Sequence, residues 1–334
     1  MVRAAHVVRA MAMPRPLAHV EAAVSVPDAP GVAYLFDPPR RAPEGAVVIV
    51  PGLAVRAHDD PRLHTLARAF AAGGLRGIVL EVPDMGKLRI RPETEVDLAA
   101  RLAALVDEGL VPHGRLGVLG PSFSGSLALR AAAQPVAAEL VKSAITVGSF
   151  ADAARTVRFL FEDEGADPYG RMVLMHNFLP RVAPTSDAMM QALKLAILDT
   201  ALPAEEARLP AALAALPEPE RIALTGLLQD PDVWRATGQR MLEEGGPWFE
   251  AMSVDPIVDR LRCAVFVMHG AHDAIVPPDE SHHLHRSLVE AGRPAHLLIT
   301  PLLDHASVQI GVDVVQQGWR MLRGFAFFIG GLGL

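Results

Sequence analysis

Apolar residues recur along this chain in two alternating rhythms. Ala46-Val47-Val48-Ile49-Val50 is an unbroken run rich in β-branched side chains, the pattern of a strand buried on both faces. Residues 77–82, 116–119, 144–148 and 264–268 have the same character, and 20–26, 32–36 and 296–299 read as further strands. The turn chemistry of Pro27-Asp28-Ala29-Pro30-Gly31 separates the first two. Between the strands the spacing becomes helical. Leu63, Leu66, Ala67 and Phe70 share one face of a helix over 61–72, which Gly73-Gly74 ends. Val96, Leu98, Leu102 and Leu105 do the same over 94–108, and helices are predicted at 126–133, 279–290 and 312–328. This alternation predicts an α/β fold, a mainly parallel central sheet flanked by helices.

The rhythm stops between 151 and 255. That stretch offers helical segments broken by Pro180, Pro184, Pro203, Pro210, Pro217, Pro219 and Pro231, and no strong strand run. The expected organisation is one core domain built from 1–150 and 256–334, with 151–255 inserted as a helical cap. A net charge of −7 without clustered Lys and Arg gives no reason to expect nucleic acid as a partner. Cys263 is the only cysteine, so neither an intrachain disulfide nor a thiolate metal cage can form, and a cytoplasmic location is expected. Arg9 interrupts the first apolar stretch before a leader-like segment develops. The apolar residues 325–334 fall short of the roughly 20 that a spanning helix needs, so a buried terminal helix is expected and no transmembrane segment. Nothing in the sequence bears on oligomeric state.

The segment richest in chemistry is Gly117-Val118-Leu119-Gly120-Pro121-Ser122-Phe123-Ser124-Gly125. A buried strand runs straight into a helix through a turn of small residues. A nucleophilic serine on such a turn needs small residues two positions to either side, because the backbone is strained and the chain passes close by. Gly120 and Ser124 hold those positions. The turn lifts the Ser122 hydroxyl above the carboxyl edge of the sheet, with the amides of the following helix aimed at a developing oxyanion. Two later segments add to this. Met268-His269-Gly270-Ala271-His272-Asp273-Ala274-Ile275-Val276-Pro277 places an acid just beyond a strand, and Pro301-Leu302-Leu303-Asp304-His305 places a histidine in the loop after the last strand.

With serine, aspartate and histidine in that order, each after a different strand, the sequence resembles the α/β-hydrolase family over roughly 20–150 and 255–330. Gly-x-Ser-x-Gly is the usual family pattern at the turn, and Ser124 stands where its second glycine would be. The resemblance implies Ser122 as nucleophile, His305 as base and Asp273 as the acid that orients it. Asp152, after the strand at 144–148, competes for the acid role, and His269 and His272 are weaker base candidates. His269 is expected to shape its own turn, and Asp304 to be solvated. Backbone N–H groups of Phe123 and of Leu53, in the loop Pro51-Gly52-Leu53-Ala54, are the expected oxyanion hole; family members often carry His-Gly where this chain has Pro-Gly.

Met172, Met175, Met189 and Met190 in the insertion are candidates for an apolar substrate lining, with ordinary helix packing as the competing role. His282, His283 and His285 read as a surface helix rather than a metal site, and neither metal nor cofactor is expected. The implied reaction is hydrolysis of a small-molecule acyl compound through an acyl-enzyme. A carboxylic ester is the default substrate. Thioesters, amides and C–C bonds use the same constellation, and a non-catalytic ligand-binding member of the fold is the remaining alternative.

Overall fold

A computed structural model describes residues 1–12, 20–25, 32–304, 307–308 and 314–334. Eight strands form one sheet: β1 (Val20–Ser25), β2 (Val32–Asp37), β3 (Ala46–Ile49), β4 (Arg76–Leu80), β5 (Leu116–Pro121), β6 (Val141–Val147), β7 (Ala264–Gly270) and β8 (Ala295–Thr300). Their order is β1-β2-β4-β3-β5-β6-β7-β8. β2 pairs antiparallel with both β1 and β4, and every pairing from β4 across to β8 is parallel. The fold is that of the α/β-hydrolases.

The continuous apolar run of β3 is explained by its two covers. Val48 sits in one hydrophobic layer with Leu98, Leu102, Leu127 and Leu284. Val47 and Ile49 sit in the other with Phe70, Phe325 and Phe328. Alternate side chains of a strand point to opposite faces, so a strand covered on both faces has no polar position. β3 also marks a reversal of direction in the sheet, because the chain moves from β3 to β4 on one side and then crosses to β5 on the other. Loops leaving β3 and β5 therefore meet at the carboxyl edge, where open α/β sheets form their crevice.

The helices Pro61–Ala72 and Asp279–Glu290 have the bounds the spacing predicts. Asp60 caps the first, its carboxylate accepting the Arg62 N–H at 2.9 Å, with Pro61 in the first turn. The closing helix is Val314–Gly331. Its Phe325 ring lies 6.1 Å from Phe70 and 5.8 Å from Phe266, so the apolar carboxyl-terminal stretch covers the sheet. Among the described residues no helix is long and apolar enough to cross a membrane. A helix at Val2–Ala12 is one the periodicity does not predict. Arg3 and Arg9 hide its pattern, but Ala4, Val7 and Ala10 make a buried stripe. Arg3 forms a two-pronged pair with Glu44, at 2.7 and 2.6 Å.

The chain forms two compact units. The first comprises Met1–Ala151, Met252–Asp273 and Pro278–Leu334; the second comprises Asp152–Ala251 with Ala274–Pro277. The second unit is helical, with its long members at Ala153–Glu162, Pro168–Val182, Asp187–Asp199, Glu218–Gln229 and Pro231–Met252. Side chains of Asp152, Asp167 and Ser186 cap three of these. Its interior holds Phe161, Phe178, Leu193 and Phe249, all buried, with the Phe178 and Phe249 rings 5.0 Å apart. Arg171 and Arg181 stack on Trp234 and Trp248, at 4.2 and 4.0 Å from the ring centres.

Candidate active site

The turn between β5 and the helix Phe123–Ala132 carries one of four non-glycine residues with positive φ among the described residues. Ser122 takes φ 53° and ψ −134°, a region that costs a non-glycine residue about 1–3 kcal/mol. Its surroundings hold it there. The Ser122 N–H donates to Val147 O at 2.7 Å, continuing the β5–β6 ladder, while its carbonyl accepts from Ser149 Oγ at 2.8 Å and from the Gly125 N–H at 3.0 Å. The helix starts immediately, at Phe123 rather than at the expected residue 126, because the whole reversal is completed within Ser122. The Phe123 N–H thus belongs to the first helical turn, whose amides lack partners within the helix.

Gly120 is required at its position. A Cβ there would stand 2.3 Å from Ser124 O and 2.6 Å from Gly125 N, both backbone atoms. The Ser124 hydroxyl is fully buried and donates to Pro51 O in the loop that follows β3. The same loop approaches β5 at Gly52, where a Cβ would be 3.8 Å from Pro121 Cγ. Half-buried Leu53 follows directly and packs against the core. Ser124, which breaks the family pattern, thereby joins the candidate nucleophile turn to the candidate oxyanion loop. Ser124→Ala leaves that carbonyl without its buried donor, and we expect a loss of about 1–2 kcal/mol in urea unfolding. Unchanged stability would show the hydroxyl to be dispensable.

Asp273 lies in the loop after β7, three residues past the end of that strand, which itself runs two residues beyond the predicted end at 268. The loop is anchored where it leaves the sheet, with the Gly148 N–H donating to Met268 O at 2.9 Å and the Ala271 N–H to Thr300 O at 3.0 Å. The carboxylate is buried, with His269 Nε2 3.4 Å from its Oδ2. His272 is exposed. Asp152 is committed elsewhere: its Oδ1 caps the helix Ala153–Glu162, accepting the Arg155 N–H at 2.9 Å.

The structure brings together Ser122, Phe123 and the loop 51–53, and places Asp273 at the same carboxyl edge, two strands away. His305 and the side chain of Asp304 lie outside the described residues. Met172, Met175 and Met189 are buried in the second unit and Met190 is half-buried there, on the helices Pro168–Val182 and Asp187–Asp199. Sequence reasoning missed the hydroxyl contacts of Ser124 with Pro51, of Ser149 with Ser122 and of Ser281 with His269. Each acts through a contact made across many residues of chain, and an isolated serine carries no signal of that.

Among the described residues no group of three or more His, Cys, Asp or Glu side chains could hold a metal ion. Two histidines, His285 and His296, are nevertheless shifted by their surroundings. Burial and His282 hold His285 below the usual histidine range. Burial, Arg323, His285 and Arg320 do the same to His296. A histidine with a lowered folded-state value resists protonation only while folded. Its contribution to stability is therefore present above the ordinary value near about 6.5 and is lost as pH falls through the lowered folded value. We expect Tm to fall from about pH 7.5 to 5.5, and His296→Phe to flatten that slope; an unaltered slope in calorimetry would remove these rings from the account. Cys263 is buried, with its thiol pushed up to about 12 by desolvation.

With this topology and this turn, the protein is a member of the α/β-hydrolase superfamily. The chain belongs to the X-Pro dipeptidyl-peptidase family (S15 family), whose model matches residues 102–306. Solved structures resemble it in fold. A puromycin-hydrolysing peptidase of Mycobacterium tuberculosis is 18% identical with a TM-score of 0.53, over 96% of this chain and 41% of the other. A puromycin hydrolase gives 14% and 0.54, over 95% and 39%. Dipeptidyl peptidase 4 of Porphyromonas gingivalis gives 12% and 0.53, over 93% and 35%. The chain thus spans about two-fifths of the length of these proteins. No curated protein matches it by sequence.

Proposed function

We propose that this protein hydrolyses amide or peptide bonds through an acyl-enzyme formed on Ser122, with His305 as the base and Asp273 as its orienting acid. The observation that carries the reading is the strained Ser122 backbone at a strand-to-helix turn, a conformation kept at a cost in stability where a hydroxyl must be presented. Attack on the carbonyl transfers the hydroxyl proton to His305. The oxyanion is received by the N–H groups of Phe123 and Leu53, and His305 then protonates the leaving amine. Amides depend on that last step more than esters do, because an amine leaves poorly without a proton. Water, activated by His305, releases the acid.

Preference for amides over carboxylic esters is supported by the S15 family match and by the peptidase names of the structural neighbours. Asp273 is favoured over Asp152 because its carboxylate is buried at the sheet edge while Asp152 caps a helix. We assign the helical unit the role of a cap that selects the substrate.

The test is a paired panel. Dipeptidyl p-nitroanilides with proline as the second residue represent the substrate named for the family, and p-nitrophenyl esters from acetate to palmitate represent the competing class. Turnover of the anilides, lost in Ser122→Ala, is expected. Hydrolysis of the esters alone would make the protein an esterase, and silence on both panels would end the hydrolytic reading.

A further inference from the structure

Asp273 is buried in a way that demands donors. Its side chain is 1% exposed and that of His269 is 0% exposed. An ionised carboxylate removed from water is tolerated only when hydrogen-bonded or paired. His269, the next-to-last residue of β7, presents Nε2 to Asp273 Oδ2 at 3.4 Å. The other ring nitrogen is also engaged: Nδ1 lies 2.6 Å from Ser281 Oγ, a fully buried hydroxyl on the helix Asp279–Glu290. These three groups form a line from that helix through the imidazole to the carboxylate.

We propose that His269 and Ser281 are positioning residues that orient the acid Asp273. The inference rests on the assignment of Asp273 as the acid partner of His305. In the neutral ring an N–H can sit on only one nitrogen. If it faces Asp273 from Nε2, Nδ1 must accept, and the Ser281 O–H donates to it. Ser281 thereby selects the tautomer, as the partner of the second nitrogen does for functional imidazoles in general. The ring then donates to one carboxylate oxygen and limits rotation of the group about its Cβ–Cγ bond. The motif His269-Gly270-Ala271-His272-Asp273 supplies the geometry, because a tight turn after β7 folds residue 273 back onto residue 269.

The arrangement acts through Asp273, so its effect must appear in the behaviour of the base. His269→Phe keeps a ring of similar volume but has no N–H. We expect kcat on the dipeptidyl p-nitroanilide to fall about 10- to 100-fold, as for other groups that orient a functional residue, with KM changed less than about twofold. A loosened carboxylate stabilises the imidazolium of His305 less, so the acid limb of the kcat/KM profile should move to lower pH. Ser281→Ala should act in the same direction by a few-fold. His269→Gln, which restores an N–H donor, should recover much of the loss.

Controls separate the positioning role from the triad assignment beneath it. Active sites are titrated with a fluorophosphonate, so that kcat is expressed per reactive serine. Asp273→Asn should lose activity by itself, and His269→Phe added to Asp273→Asn should cost nothing more, since the histidine works through the missing acid. If Asp273→Asn retains full activity, the triad assignment falls and the positioning role falls with it. If Asp273→Asn is inactive but His269→Phe matches wild type in kcat and pH limb, only the positioning role is overturned. It is overturned equally if His269→Phe merely lowers the titratable fraction, or if its loss adds fully to that of Asp273→Asn.

Discussion

Ser122→Ala is expected to lower turnover by about 10⁴- to 10⁶-fold and to abolish fluorophosphonate labelling. The magnitude follows from removal of the only atom that bonds to the substrate; the site that remains can offer only the oxyanion donors and binding. Little change in Tm should accompany it, because alanine occupies the same strained conformation. Ser122→Gly sharpens the contrast. Glycine adopts φ 53° without penalty, so this variant should be as inactive as Ser122→Ala and more stable by about 1 kcal/mol. Activity and stability would then move in opposite directions at one position, as expected where strain is retained for chemistry. Labelling of Ser122→Ala at the wild-type rate would show that the reactive serine lies elsewhere.

The second large effect is expected at a residue with no side chain. Gly120→Ala places a methyl group 2.3 Å from Ser124 O and 2.5 Å from Ser124 C. Neither atom can rotate away, because both belong to the first turn of the helix Phe123–Ala132. The helix must move bodily, and it is tied to Pro51 through Ser124 and to Val147 through the Ser122 N–H. We expect a loss of about 3 kcal/mol, the upper part of the range for overpacking, together with a fall in labelling rate even though Ser122 is unchanged. Wild-type urea stability and labelling in the variant would contradict this close approach.

How much of this was legible in the sequence differs from element to element. The run 46–50 gave its strand away because both faces are buried, and the helix 61–72 showed both its stripe and its ends. Helix Val2–Ala12 was not legible, since its core stripe consists of two alanines and one valine and its arginines interrupt the apolar count. Ser122 stood out because the small residues around it report a steric requirement that is local in sequence. The hydroxyl of Ser124 did not, because its acceptor lies 73 residues away, and Ser149 and Ser281 are silent for the same reason. The bounds of the helical unit were read from where the strand runs stop and resume and from the prolines between. Those cues could not reveal that Ala274–Pro277 belongs with it: the Asp167 N–H donates to Ala274 O at 2.8 Å, and a Cβ on Gly170 would lie 3.2 Å from Ile275 Cγ2.

Helix Val2–Ala12 packs against Val314–Gly331 as well as against Pro61–Ala72. All three helices share one hydrophobic layer with Phe266, so opening of either Val2–Ala12 or Val314–Gly331 uncovers the same face of the core, and the two should exchange amide hydrogens as one cooperative unit.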